Sequence, residues 1–177
     1  MKKIILTYGL IAGAIVSVML VVTQPLFRNG TLNIDNGVYV GFGSMIIAMS
    51  LIFFAIKSFR DQHLQGVISF GKAFKVGILI AVVASVMYAL TWEIYYNTVG
   101  QDFMEWYQQC QLDKMTKDGA SEQELTDARI EMEEMAVHYK NPVFRFGLTL
   151  MEIFPVGLII TLVSAGILRK KEFLPAE

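Results

Sequence analysis

An ionisable residue stands where ionisable residues are costly. Glu152 lies inside the apolar run from Phe144 to Ile160, which is long enough to cross a bilayer. A charge at the centre of such a helix costs roughly 2.5–3.5 kcal/mol on insertion scales. Residues of this kind usually face a bundle interior or a water-filled cavity. Arg145, Thr149 and Glu152 follow one another at i, i+4 and i+7, so they share a helix face. If Pro142 marks the membrane surface, ten residues at 1.5 Å put Glu152 about 15 Å deep, near the midplane. Pro155 removes a backbone donor and frees the carbonyl of Met151. A carboxyl beside a freed carbonyl at a helix break is one way transporters hold ions. Glu93, in Trp92-Glu93-Ile94-Tyr95-Tyr96, lies near the end of another apolar run. Its level suits pairing with Arg145 better than with Glu152. Together Glu152, Arg145, Thr149, Pro155 and Glu93 form a candidate intramembrane proton or cation site. The plainer reading has Glu152 protonated and hydrogen-bonded to a neighbouring helix, and Glu93 as an interfacial carboxylate within an aromatic belt.

Other reactive residue types carry less. Lys72 and Lys75 are read as interfacial cations that reach back to headgroup level, with a phosphate contact as the lesser alternative. Glu134 and His138 are four apart, but two residues do not make a metal site. Cys110 is the one cysteine, so no intramolecular disulfide forms. There is no nucleophile elbow, phosphate loop, dinucleotide fingerprint or zinc-protease motif. No catalytic residue, metal site or cofactor is expected, and the reading is non-enzymatic. The basic residues flank apolar runs, which gives nucleic-acid binding no support.

The elements that must position these residues are membrane helices. The chain has 177 residues, 54% hydrophobic and only 18% charged, against about 25% charged in soluble domains. Four runs reach the roughly 20 residues that about 30 Å of hydrocarbon requires. They cover about 4–22, 38–56, 73–96 and 143–168. The first follows Met1-Lys2-Lys3, exceeds a signal-peptide core of about 7–15 residues and lacks a small-x-small cleavage site, so it reads as a retained span. Lys2, Lys3, Lys57, Arg60, Lys72, Lys75, Arg169, Lys170 and Lys171 then fall on one side, which places both termini in the cytoplasm.

The segment 97–141 lies outside on this reading, and it is acidic. From Asp102 to Lys140 there are ten Asp/Glu against four Lys/Arg, a charge of −6 within a chain of net −1. Phe103, Trp106, Tyr107 and Cys110 recur at helical spacing. Asp118-Gly119-Ala120 breaks that helix, and Ser121-Glu122-Gln123-Glu124 is a capping box. Leu125, Ala128, Met132, Met135 and Tyr139 then continue at spacings of three and four. Two amphipathic helices forming an extracytoplasmic hairpin are expected. Asn141-Pro142 restarts the chain as N-cap and first helical residue. Small residues form stripes: Gly9, Gly13 and Ser17; Gly77, Ala81, Ser85 and Ala89; Gly157, Thr161 and Ala165. Such stripes let helices approach closely, within one chain or across a homo-oligomer.

Several stretches resemble one family. Tyr8-Gly9-Leu10-Ile11-Ala12-Gly13 opens the first span, and Gly43-Ser44-Met45-Ile46-Ile47-Ala48 lies in the second. Ile52-Phe53-Phe54-Ala55-Ile56-Lys57-Ser58-Phe59-Arg60-Asp61 ends the second. Gly66-Val67-Ile68-Ser69-Phe70-Gly71-Lys72-Ala73-Phe74-Lys75-Val76-Gly77 enters the third, and Glu152-Ile153-Phe154-Pro155-Val156-Gly157 lies in the fourth. The likeness is to the bacterial membrane family called domain of unknown function 4199, and it is weakest in 97–141. It implies a four-span protein of a bacterial inner membrane and carries no activity with it. The expected fold is all-α, one membrane domain over 1–177 with the hairpin inserted before the last span. Two functions are weighed. One is a non-enzymatic interaction or envelope-associated protein whose hairpin docks a protein partner. The other is a small proton- or cation-coupled transporter using Glu152.

Overall fold

The computed structural model describes residues 1–169, and all its regular elements are helices. In order they are α1 (Lys2–Arg28), α2 (Ile34–Met49), α3 (Leu51–His63), α4 (Phe70–Thr98), α5 (Phe103–Lys117), α6 (Glu122–Tyr139) and α7 (Pro142–Leu168). Four stretches are long and apolar enough to cross a membrane: Lys2–Arg28, Asp35–His63, Phe70–Thr98 and Pro142–Leu168. Each extends past its apolar run, because helices end at caps rather than where hydrocarbon stops. Asn33 caps α2 by accepting from the amide of Asn36 at 2.8 Å. Asn141 caps α7 by accepting from Val143, with Pro142 in the first turn. In α1 the helix runs through Pro25 to Arg28, and the amide missing at Pro25 leaves the Val21 carbonyl without its ladder donor near the helix end.

The second stretch breaks at Ser50, between α2 and α3. The Ser50 hydroxyl donates to the carbonyl of Ile47 at 2.6 Å, a local bond that competes with the helical ladder.

Helix α4 is the centre, packed chiefly against α7 on one face and α1 on the other. The small-residue stripes make both contacts. A Cβ on Gly157 would sit 2.8 Å from the Cβ of Ala81, and one on Gly77 would sit 2.7 Å from Thr161. On the other face, a Cβ on Gly9 would meet Val83 at 2.8 Å. Ser17 accepts from Thr91 at 2.9 Å. The stripes are therefore used within the chain.

The half of the bundle nearest the N-terminus of α1 is close-packed. Ile52, Ile56, Val76, Ile80 and Leu168 are all buried there. Arg60 is also fully buried in that half, its Nε donating to Asp61 at 2.7 Å.

At the other end, α5 and α6 pack against each other. Gly119, at φ +84°, turns the chain between them, a conformation that favours glycine. The Ser121 capping box is formed in both directions, with Glu124 accepting from the Ser121 amide at 2.8 Å. The inward face of α6 differs from expectation at one residue. Leu125, Ala128, Met132 and Tyr139 turn inward, but Met135 is 42% exposed and Ala136 takes its place.

Candidate functional site

The candidate residues divide into a sealed clamp and an open cavity. The clamp joins α4 to the start of α7. Arg145 is 2% exposed. Its Nε donates to Glu93 Oε1 at 2.8 Å, its Nη2 to Glu93 Oε2, and its Nη1 to the carbonyl of Tyr139 at 2.9 Å. The guanidinium also lies over the Tyr96 ring, 3.9 Å from its centroid. This is a two-toothed ion pair backed by a cation–π contact. It engages all three Arg145 nitrogens and neutralises Glu93, which suits fastening better than ion transfer. Thr149, one turn further, donates to the Arg145 carbonyl at 2.9 Å.

The cavity has a volume of about 370 Å³ and lies among α1, α2, α4, α5, α7 and the end of α6. That is within the usual range for small-molecule sites, about 300–1,000 Å³. One wall is aliphatic, from Val16, Leu20, Val38 and Met45. Aromatic residues close the end towards α5: Phe27, Trp92, Phe103, Trp106 and Tyr139. They hold one another. Trp92 donates from Nε1 to the Tyr139 hydroxyl at 2.6 Å and meets Phe103 edge-on at 4.8 Å. Trp106 meets Phe27 edge-on at 5.9 Å.

Glu152 is on the cavity wall with Thr149 and Tyr88, and it remains accessible. The Tyr88 hydroxyl donates to its Oε1 at the long distance of 3.5 Å. Among the described residues no Lys or Arg pairs with Glu152, and none lines the cavity. Pro155 and Met151 do not line it, so the freed carbonyl is not brought to the carboxyl through this space. Lys72 and Lys75 are exposed in the opening turns of α4, at the end of the bundle away from the cavity. No group of three or more His, Cys, Asp or Glu among the described residues is arranged to hold a metal.

The α5–α6 pair is tied down beside the aromatic end of the cavity. Asp102, just before α5, takes both Arg28 terminal nitrogens, at 2.6 and 2.8 Å. That guanidinium holds the Asp102 carboxyl below the usual carboxylate range. Lys114 of α5 pairs with Asp35 at the start of α2. Partial burial pushes the Cys110 thiol up, away from the reactive thiolate.

Sequence reasoning overlooked Tyr88 and Tyr139 as site residues. For Tyr88 the signal was the spacing Tyr88, Trp92, Tyr96 along one face of α4, which reads equally well as an interfacial belt, and for Tyr139 it was only the last place in the apolar repeat of α6.

Fold and site thus define an all-helical protein with four helices fit to cross a membrane and a carboxyl-bearing cavity in one half of the bundle. The chain belongs to the family described as "Protein of unknown function (DUF4199)", whose model matches residues 7–170. No curated protein and no solved structure matches it.

Proposed function

We propose that this is a non-enzymatic, multi-pass protein of a bacterial inner membrane, and that its α5–α6 hairpin docks a protein partner outside the cytoplasm. The carrying observation is the fastening of that hairpin. Arg28–Asp102, Lys114–Asp35 and Trp92–Tyr139 tie α5 and the end of α6 to the spans. A segment held this way presents a defined surface. Its outer α6 face carries Asp127, Glu131 and Glu134, all exposed, so a basic partner surface fits it. The orientation rests on Lys2, Lys3, Lys57, Lys72, Lys75 and Arg169, which lie at the end of the spans away from α5 and α6. The bacterial assignment rests on the family resemblance.

A reporter active only outside the cytoplasm is expected to work when fused near Gly119 and to fail after Arg60 or Lys171. Activity at Lys171 would sink the orientation. For docking, a photo-cross-linking side chain at position 131 is expected to give one discrete adduct in intact cells. Asp127→Lys together with Glu134→Lys should remove it. A diffuse smear unaffected by the charge reversal counts against the reading. The second reading, proton- or cation-coupled transport, is favoured by the accessibility of Glu152. It requires Glu152→Gln to abolish an ion-dependent phenotype, whereas the docking reading leaves the adduct intact in that variant.

A further inference from the structure

The cavity has a chemistry of its own, independent of the hairpin's partner. Its one ionisable acid is Glu152, and no basic side chain of the described residues lines it or pairs with that carboxyl. Tyr88 offers only a 3.5 Å contact, which leaves carboxylate lone pairs open. The same cavity is lined by aromatic rings from three helices: Trp92 of α4, Phe103 and Trp106 of α5, and Phe27 of α1. Aromatic faces attract cations, most strongly once water is excluded. The rest of the lining mixes aliphatic side chains with Thr23, Gln24, Ser44 and Thr149, and a small inorganic ion would leave most of this space unfilled. An anionic amphiphile would meet Glu152 with no compensating cation.

We propose that the cavity is a binding site for a hydrophobic organic cation, an amine or quaternary ammonium carrying an apolar body. The charged centre lies between the Glu152 carboxylate and the aromatic end, and the apolar body lies against Val16, Leu20 and Met45. A bound cation also favours the ionised carboxylate, so ligand and charge support each other. Binding needs no gradient and no transport cycle, so it can be measured whether or not the chain moves anything.

The chain offers a direct readout. It has two tryptophans, Trp92 and Trp106, and both line the cavity. The full-length protein in neutral phosphatidylcholine nanodiscs would be titrated with ethidium, a planar hydrophobic cation, while tryptophan emission is followed. Saturable quenching is expected, weakened about tenfold or more by Glu152→Gln. The uncharged ring system phenanthridine and the anion anilinonaphthalenesulfonate should bind more weakly by a similar factor. Gly41→Phe supplies a second variant that keeps the carboxyl. Gly41 lines the cavity, and a Cβ there meets nothing within 4 Å. The added ring should fill the space, abolish quenching and leave the melting temperature unchanged. The proposal is overturned by any of three results: non-saturable ethidium quenching, equal affinity in Glu152→Gln, or equal affinity for the neutral or anionic probe. Retained ethidium binding in a folded Gly41→Phe protein also overturns it.

Discussion

Arg145→Met is expected to lower both melting temperature and membrane abundance more than any single change at the cavity. Methionine fills much of the same space but donates nothing. Glu93 would lose both of its bonds to Arg145, and the Tyr139 carbonyl would lose the Nη1 donor. Breaking a buried ion pair from one side costs about 3–5 kcal/mol, because the remaining charge stays desolvated. The side chain of Glu93 is 16% exposed, which favours the lower end of that range. Adding Glu93→Gln removes the stranded charge, so the double variant should recover most of the loss. Thermal unfolding of wild type, the single variant and the double variant decides the matter. A double variant no more stable than Arg145→Met would mean that pairing is not what the arginine supplies.

Gly157→Leu is expected to come next in size. Its Cβ would lie 2.8 Å from the Cβ of Ala81, and neither atom can rotate away. Helices α4 and α7 would have to separate along their main contact. Overpacking of a filled interior typically costs about 1–3 kcal/mol, and here the close approach of two backbones is also lost. Gly147→Leu is the matched control on the same helix, since a Cβ there meets nothing within 4 Å. The measurement is the fraction remaining monodisperse after heating in detergent. Equal losses in the two variants would refute the close-approach argument.

Much of this architecture is legible in the residues, for identifiable reasons. The spans show because a membrane helix announces itself by length and apolarity alone. The Ser121 capping box and the Asn141-Pro142 start are chemical signals confined to four residues, and both bonds are formed as expected. Pairing of Glu93 with Arg145 follows from depth. What stays hidden needs several helices at once. The cavity takes its walls from six of them, and no spacing within one helix describes an empty space between others. Ser50 is similar, since Ser44 makes the same bond to the carbonyl three residues back inside an unbroken α2, so a serine in an apolar run gives no hint of where the helix will divide. The exchange of Met135 for Ala136 reflects a smaller ambiguity: spacings of three and of four both keep an amphipathic face.

The place of α4 between α1 and α7 has a consequence for how the molecule comes to exist. Chains are made from the N-terminus, so α1 is made before the three other helices fit to cross a membrane. Yet its Gly9, Gly13 and Ser17 face α4, which is synthesised only after α2 and α3. During that interval the small-residue stripe of α1 has no permanent neighbour. A smooth helix face in lipid readily associates with similar faces. The nascent protein is therefore most exposed to wrong pairings before its third span arrives. The delay is written into the order of its helices, and a shorter link between α1 and α4 would relieve it.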